Sequence, residues 1–204
     1  MRRPPFLTDR RKDMKICVYG ASSAVIDEAF IADGEKLGRE MAKRGIGLVF
    51  GAGANGLMGA AARGVKSGGG EIIGVVPRFF NVDGIIFDGC SELIRTDTMR
   101  ERKQIMEDRA DAFVMTPGGI GTYEEFFEIL TLKQLGRHNK PLAVLNTNGF
   151  YDDVFRFLEN AVDKKFMKAE CLKLYRVFTD INEMLDYIEN YNEELPDIMH
   201  FKNI

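Results

Sequence analysis

The chain has 204 residues, 45% of them hydrophobic and 29% charged, which is the composition of one cytoplasmic domain with a sizeable core. No apolar run reaches the ~18 residues of a membrane helix, no signal-peptide pattern opens the chain, and three scattered cysteines with two histidines make neither a disulfide framework nor a His/Cys metal centre. Net charge is −3; the first 13 residues carry five Lys/Arg and two Asp, +3, so the rest carries −3 − 3 = −6, which argues against a nucleic-acid-binding face.

The basic start, residues 1–13, reads as a disordered tail, and residues 14–204 as a single domain. Met14–Gly20 is a short buried strand. Asp27–Lys43 is an amphipathic helix with Phe30, Leu37 and Met41 at helical spacing, stopped by Gly45. Gly47–Phe50 is a strand, Asn55–Lys66 a small-residue helix, and Glu71–Val76 a strand closed by Pro77. An irregular stretch runs to Cys90, followed by a short strand near Leu93 and Ile94. Thr98–Arg109 is helical, Asp111–Thr116 a strand, and Thr122–Leu135 a helix. Leu142–Leu145, Tyr151–Val162, Tyr175–Phe178 and Ile181–Asn190 continue the alternation of strand and helix. The strands are continuous apolar runs. That pattern predicts an α/β fold with a parallel sheet of about seven strands and helices on both faces. Ligands of such folds sit outside the carboxyl ends of the strands.

Three strand ends are unusual. Gly51-Ala-Gly53-Ala-Asn-Gly56 matches G-x-G-x-x-G but follows the second strand, and Glu71 is badly placed for a ribose. It reads equally as close backbone approach to a ligand or as a tight strand-to-helix turn. Pro117-Gly118-Gly119-Ile120-Gly121-Thr122 follows the strand Asp111–Thr116. Its glycines let backbone N–H groups converge on an anion, and the helix opening at Thr122 adds its positive end. Without a following Gly-Lys-Ser/Thr it suits a monophosphate; a glycine turn capped by Thr122 is the bland alternative. Gly20-Ala-Ser22-Ser23 after the first strand is read more simply as a helix cap, with ligand binding at Ser22 as the minority reading.

Two charged positions stand out. Thr98 and Glu101 form a capping box that fixes a helix start. At 100° per residue, Arg102 then shares the apolar face of Met99, Ile105 and Met106, with Lys103 at its border. A guanidinium there needs an anionic side chain or a ligand. Glu124 and Glu125 fall in the first turn of the helix after the glycine loop, where acids favour the dipole, yet they flank the anion site. One Glu and one Arg beside a phosphate loop suggest N-glycosidic hydrolysis of a nucleotide. No lysine has a recognisable pyridoxal phosphate context, and no serine or cysteine a nucleophile motif.

Met99-Arg-Glu-Arg102-Lys103, followed 14 residues later by Pro117-Gly-Gly-Ile-Gly-Thr-Tyr-Glu-Glu125, resembles the signature of the Lonely Guy family, and the likeness spans Met14 to Asn190. Gly51–Gly59 is similar to the family's second glycine-rich loop. The resemblance implies a Rossmann-like three-layer fold, a homodimer or larger homo-oligomer, and cofactor-free hydrolysis of cytokinin riboside 5′-monophosphates or AMP to the base and ribose 5-phosphate. It puts the catalytic pair on Arg102 and Glu125, choosing Glu125 over Glu124. It puts substrate contacts on Lys103, Gly118, Gly119, Gly121, Thr122 and Thr131, with Gly51, Gly53 and Ser22 at the other loops. The first-strand loop and the segment Pro77–Cys90 depart from the family pattern, so base preference is left open. A non-catalytic nucleotide carrier of the same fold is the alternative.

Overall fold

An unbroken apolar run is stable in a sheet only when both faces are covered, and the computed structural model shows that arrangement. The structure describes residues 14–80, 84–195 and 201; the basic start at 1–13 lies outside them. Strands β1 (Lys15–Tyr19), β2 (Gly47–Phe50), β3 (Ile72–Pro77), β4 (Glu92–Thr96), β5 (Ala112–Met115), β6 (Leu142–Leu145) and β7 (Arg176–Phe178) form one sheet. Its order is β4-β3-β2-β1-β5-β6-β7 and every pairing is parallel. The helices between them are α1 (Glu28–Lys43), α2 (Gly56–Ser67), α3 (Met99–Arg109), α4 (Ile120–Gln134), α5 (Asp152–Asp163) and α6 (Ile181–Glu189).

The two-residue period of a strand divides each apolar run between two cores. In β1, Ile16 and Val18 join one core while Cys17 and Tyr19 join the other. The first core receives Leu37 and Met41 of α1, Val65 of α2 and Leu185 of α6. The second receives Met106 of α3, Phe126 of α4 and Leu158 of α5. Each large side chain buried this way contributes about 1.5–3 kcal/mol before chain entropy is counted.

The chain winds outward from β1 to β4 and then returns to lay β5 on the other side of β1. At that reversal the loops after β1 and β5 part, and a crevice opens over the carboxyl ends of the strands. Two details differ from the sequence reading. Ser22 and Ser23 cap no helix; α1 starts later, and the Asp27 carboxylate accepts from the Ala29 N–H. Helix α4 starts at Ile120, not Thr122, with Gly119 as its cap residue and no side chain capping it. Gly121 is therefore the second residue of the helix, and only Pro117–Gly119 is loop. Glu124 and Glu125 consequently lie beyond the first turn, and the dipole no longer accounts for them.

Candidate active site

The crevice is a cleft of about 590 Å³. Its walls are Gly20–Ser22 after β1, Gly51–Gly53 and Asn55 after β2, Val76 and Pro77 at the end of β3 with Phe80 beyond it, and the start of α4. Ile86 closes one side, where it bridges to Gly53.

Arg102 reaches the floor of this cleft from α3. The helix is fixed by its cap: Thr98 Oγ1 accepts from the Glu101 N–H at 3.1 Å, and Glu101 Oε2 accepts from the Asp97 N–H at 2.9 Å. The return bond thus goes one residue before the cap position, but the box holds. Arg102 and Met106 are buried as their shared face requires, while Met99 stays half exposed at the cleft. The guanidinium donates from Nε to the Val75 carbonyl at 3.1 Å and from Nη1 to Glu125 Oε1 at 2.8 Å. A Cβ on Gly51 would fall 2.0 Å from Arg102 Nη2. Neither sequence reading of Gly51 anticipates this: the glycine leaves room for a side chain of the same protein.

Glu125 is 8% exposed. Burial pushes its carboxyl above the usual carboxylate range, and the charge and hydrogen bond of Arg102 pull against that rise. Tyr19 and Cys17 are buried beneath, and burial holds both in their neutral forms. Glu125 is thus a buried carboxylate with one bonded guanidinium, open to a cleft.

The glycine loop is pinned from three sides. Thr116 Oγ1 donates to the Tyr19 carbonyl at 2.9 Å, the Ala21 N–H donates to the Pro117 carbonyl at 3.0 Å, and the Tyr151 hydroxyl donates to the Thr116 carbonyl at 2.7 Å. Tyr151, fully buried, was only a helix start in the sequence, and no local signal marks its reach to β5. Gly118 is packed: a Cβ there would meet Thr122 Oγ1 at 2.1 Å. Gly119 and Gly121 face open space within the cleft, and Thr122 is buried beside them. The leading N–H groups of α4 lack intrahelical partners by geometry and converge there.

The other sequence candidates divide between the cleft and its surroundings. Ser22 and Gly53 line the cleft. Lys103 does not; its ammonium bonds Glu124 and lies 2.7 Å from Glu128. Thr131 is exposed on α4, its hydroxyl donating to the Phe127 carbonyl at 2.7 Å, away from the cleft. Among the described residues no group of His, Cys, Asp or Glu is clustered for a metal ion, and no helix is long and apolar enough to cross a membrane.

Comparison with known proteins gives the chain's relatives. A family model described as "Possible lysine decarboxylase" matches residues 58–188. The cytokinin riboside 5′-monophosphate phosphoribohydrolase LOG2 of Arabidopsis thaliana is 35% identical over 177 residues, 87% of this chain and 83% of its own. The phosphoribohydrolase LOG of Oryza sativa is 36% identical over 185 residues, covering 91% and 76%. Among solved structures, the Moco carrier protein of Chlamydomonas reinhardtii shares the fold with a TM-score of 0.64 and 26% identity, over 87% of this chain and 96% of its own.

Proposed function

The chain belongs to the Lonely Guy family of phosphoribohydrolases, and from that premise we propose that it hydrolyses the N-glycosidic bond of a nucleoside 5′-monophosphate, a cytokinin riboside 5′-monophosphate or AMP or both. The products are the free base and ribose 5-phosphate. One observation carries the reading: a buried Arg102–Glu125 pair faces the same cleft as the Gly119–Thr122 end of α4.

The phosphate docks on the backbone N–H groups at the start of α4, where the helix dipole favours an anion. That anchors the nucleotide with its ribose toward Glu125. As the bond from C1′ to the base nitrogen lengthens, positive charge develops on the sugar. The Glu125 carboxylate stabilises that charge and takes a proton from the attacking water, whose oxygen bonds to C1′; the electron pair of the broken bond leaves on the base nitrogen, which takes a proton from solvent, and Glu125 returns its own proton to solvent. Burial makes Glu125 a stronger base than a solvated carboxylate. Arg102 keeps it ionised and, through two hydrogen bonds, aimed. No step requires a metal or an organic cofactor.

The test is release of ribose 5-phosphate from AMP and from isopentenyladenosine monophosphate by the wild type and Glu125→Gln. Turnover should fall about 10³-fold in the variant while nucleotide binding persists. The competing reading is a carrier without catalysis, as the printed name of the Chlamydomonas protein describes. Nucleotide binding with no turnover of either substrate by the wild type would favour it.

A further inference from the structure

Lys103 stands next to Arg102 in the chain, and the family pattern gives it a nucleotide contact. The structure turns the two side chains apart. Arg102 runs into the cleft, while Lys103 lies across the gap between α3 and α4, outside the residues that line it. Its ammonium is held by carboxylates on successive turns of α4, Glu124 Oε1 and Glu128 Oε2. The Lys103 side chain is 16% exposed against 54% for Glu124. Glu124 itself lines the cleft beside Gly121 and Thr122.

This arrangement answers an electrostatic problem. A bare carboxylate at Glu124 would sit on the rim of the loop that receives a phosphate. Like charges at that range near a protein surface weaken binding by roughly tenfold. The ammonium of Lys103 is placed to cancel that charge, and its two bonds leave it committed to α4.

We infer that Lys103 is a positioning residue that neutralises and holds Glu124 at the rim of the phosphate-receiving loop, without touching the phosphate. The inference rests on the phosphate reading above and assigns the electrostatics of that same site.

The experiment is a double-mutant cycle. Binding of ribose 5-phosphate is measured by titration calorimetry on the wild type, Lys103→Met, Glu124→Gln and the double variant, with a thermal melt of each. Lys103→Met should weaken binding about tenfold. Adding Glu124→Gln should restore it to within about twofold of the wild type, because the repelling charge is gone. A double variant as weak as Lys103→Met overturns the inference: either the ammonium contacts the phosphate or the lysine only pins the helices, and neither is repaired by removing Glu124. If Lys103→Met does not fold, Lys103→Arg carries the test. Arg keeps the charge beside Glu124, so a loss of tenfold or more with it overturns the inference, and a change below about threefold supports it. A wild type that binds neither ribose 5-phosphate nor AMP is a different failure. It removes the phosphate reading before any variant is compared, and this inference with it.

Discussion

Arg102–Glu125 and Lys103–Glu124 are ion pairs one residue apart, joining the same two helices, yet they live in different physical regimes. A step of 100° along each helix separates them. The side chains of the first pair are 9% and 10% exposed; those of the second are 16% and 54% exposed. Water screens the second pair, which by itself is worth about 0–1 kcal/mol. The first pair loses most of its hydration, and its attraction roughly repays that cost. Apolar residues of similar size would hold α3 to α4 as well or better. A buried pair of this kind, opening onto a cleft, therefore points to chemistry more than to stability. The lesson is that burial, set by one step of helix phase, separates the pair we propose to react from the pair we propose to support it electrostatically.

The comparison breaks most visibly at Arg102. Arg102→Met leaves Glu125 buried without its guanidinium and should cost about 3–5 kcal/mol of unfolding free energy in urea. Arg102 is what draws the Glu125 pKa downward, so its loss should also move the acid limb of the kcat/KM profile to higher pH. An unmoved limb would separate the two residues functionally. The same titration has a stability side. Burial raises the Glu125 pKa above its unfolded value, so the folded state holds the extra proton between the two. The stability from that shift is full below the unfolded pKa and is lost as pH rises through the folded one. The wild type should therefore lose stability relative to Glu125→Gln from acid toward neutral pH; a gap independent of pH would contradict a raised Glu125.

Gly51→Ala is gentler, since it replaces neither partner. Its Cβ must displace the guanidinium it would otherwise meet at 2.0 Å. Turnover should fall about 10–100-fold, in the direction of Arg102→Met, through misplacement of the pair. Wild-type turnover would mean that Arg102 tolerates a shifted position. The smallest effect belongs to the exposed cluster. Glu128→Gln removes one partially solvated partner of Lys103 and should change unfolding free energy by less than about 1 kcal/mol, read from denaturant midpoints. A larger loss would show that the exposed pair bears more load than its solvation allows.

Much of the site was legible because it is written in local patterns. The capping box set the phase of α3, and that phase put Arg102 on the apolar side before any partner was known. The glycine run after β5 marked a strand end that the structure opens onto the cleft. What stayed hidden depends on contacts between segments far apart in the chain. Periodicity along α4 could not choose between Glu124 and Glu125; the motif did, and the structure adds that Glu125 bonds a residue 23 positions away. Gly51 read equally as a ligand glycine or a turn glycine, because the side chain that needs its space is Arg102, on a different element. Tyr151 gave no sign at all, since one hydroxyl reaching the Thr116 carbonyl leaves no trace in spacing. Thr131, carried by resemblance alone, lies outside the cleft of this chain.

By itself the sequence determined the alternation of strands and helices, including β2 and β6 to the residue, because apolar period and glycine or proline punctuation act over a few positions. It also placed Arg102 on the apolar face of its helix, where the structure buries it. Only the tertiary structure decided where α4 begins, that Asp27 rather than a serine caps α1, and that Lys103 faces two acids. Those outcomes turn on how the chain leaves one strand and meets the next helix. Such contacts are made in space, and their energies carry no period along the chain.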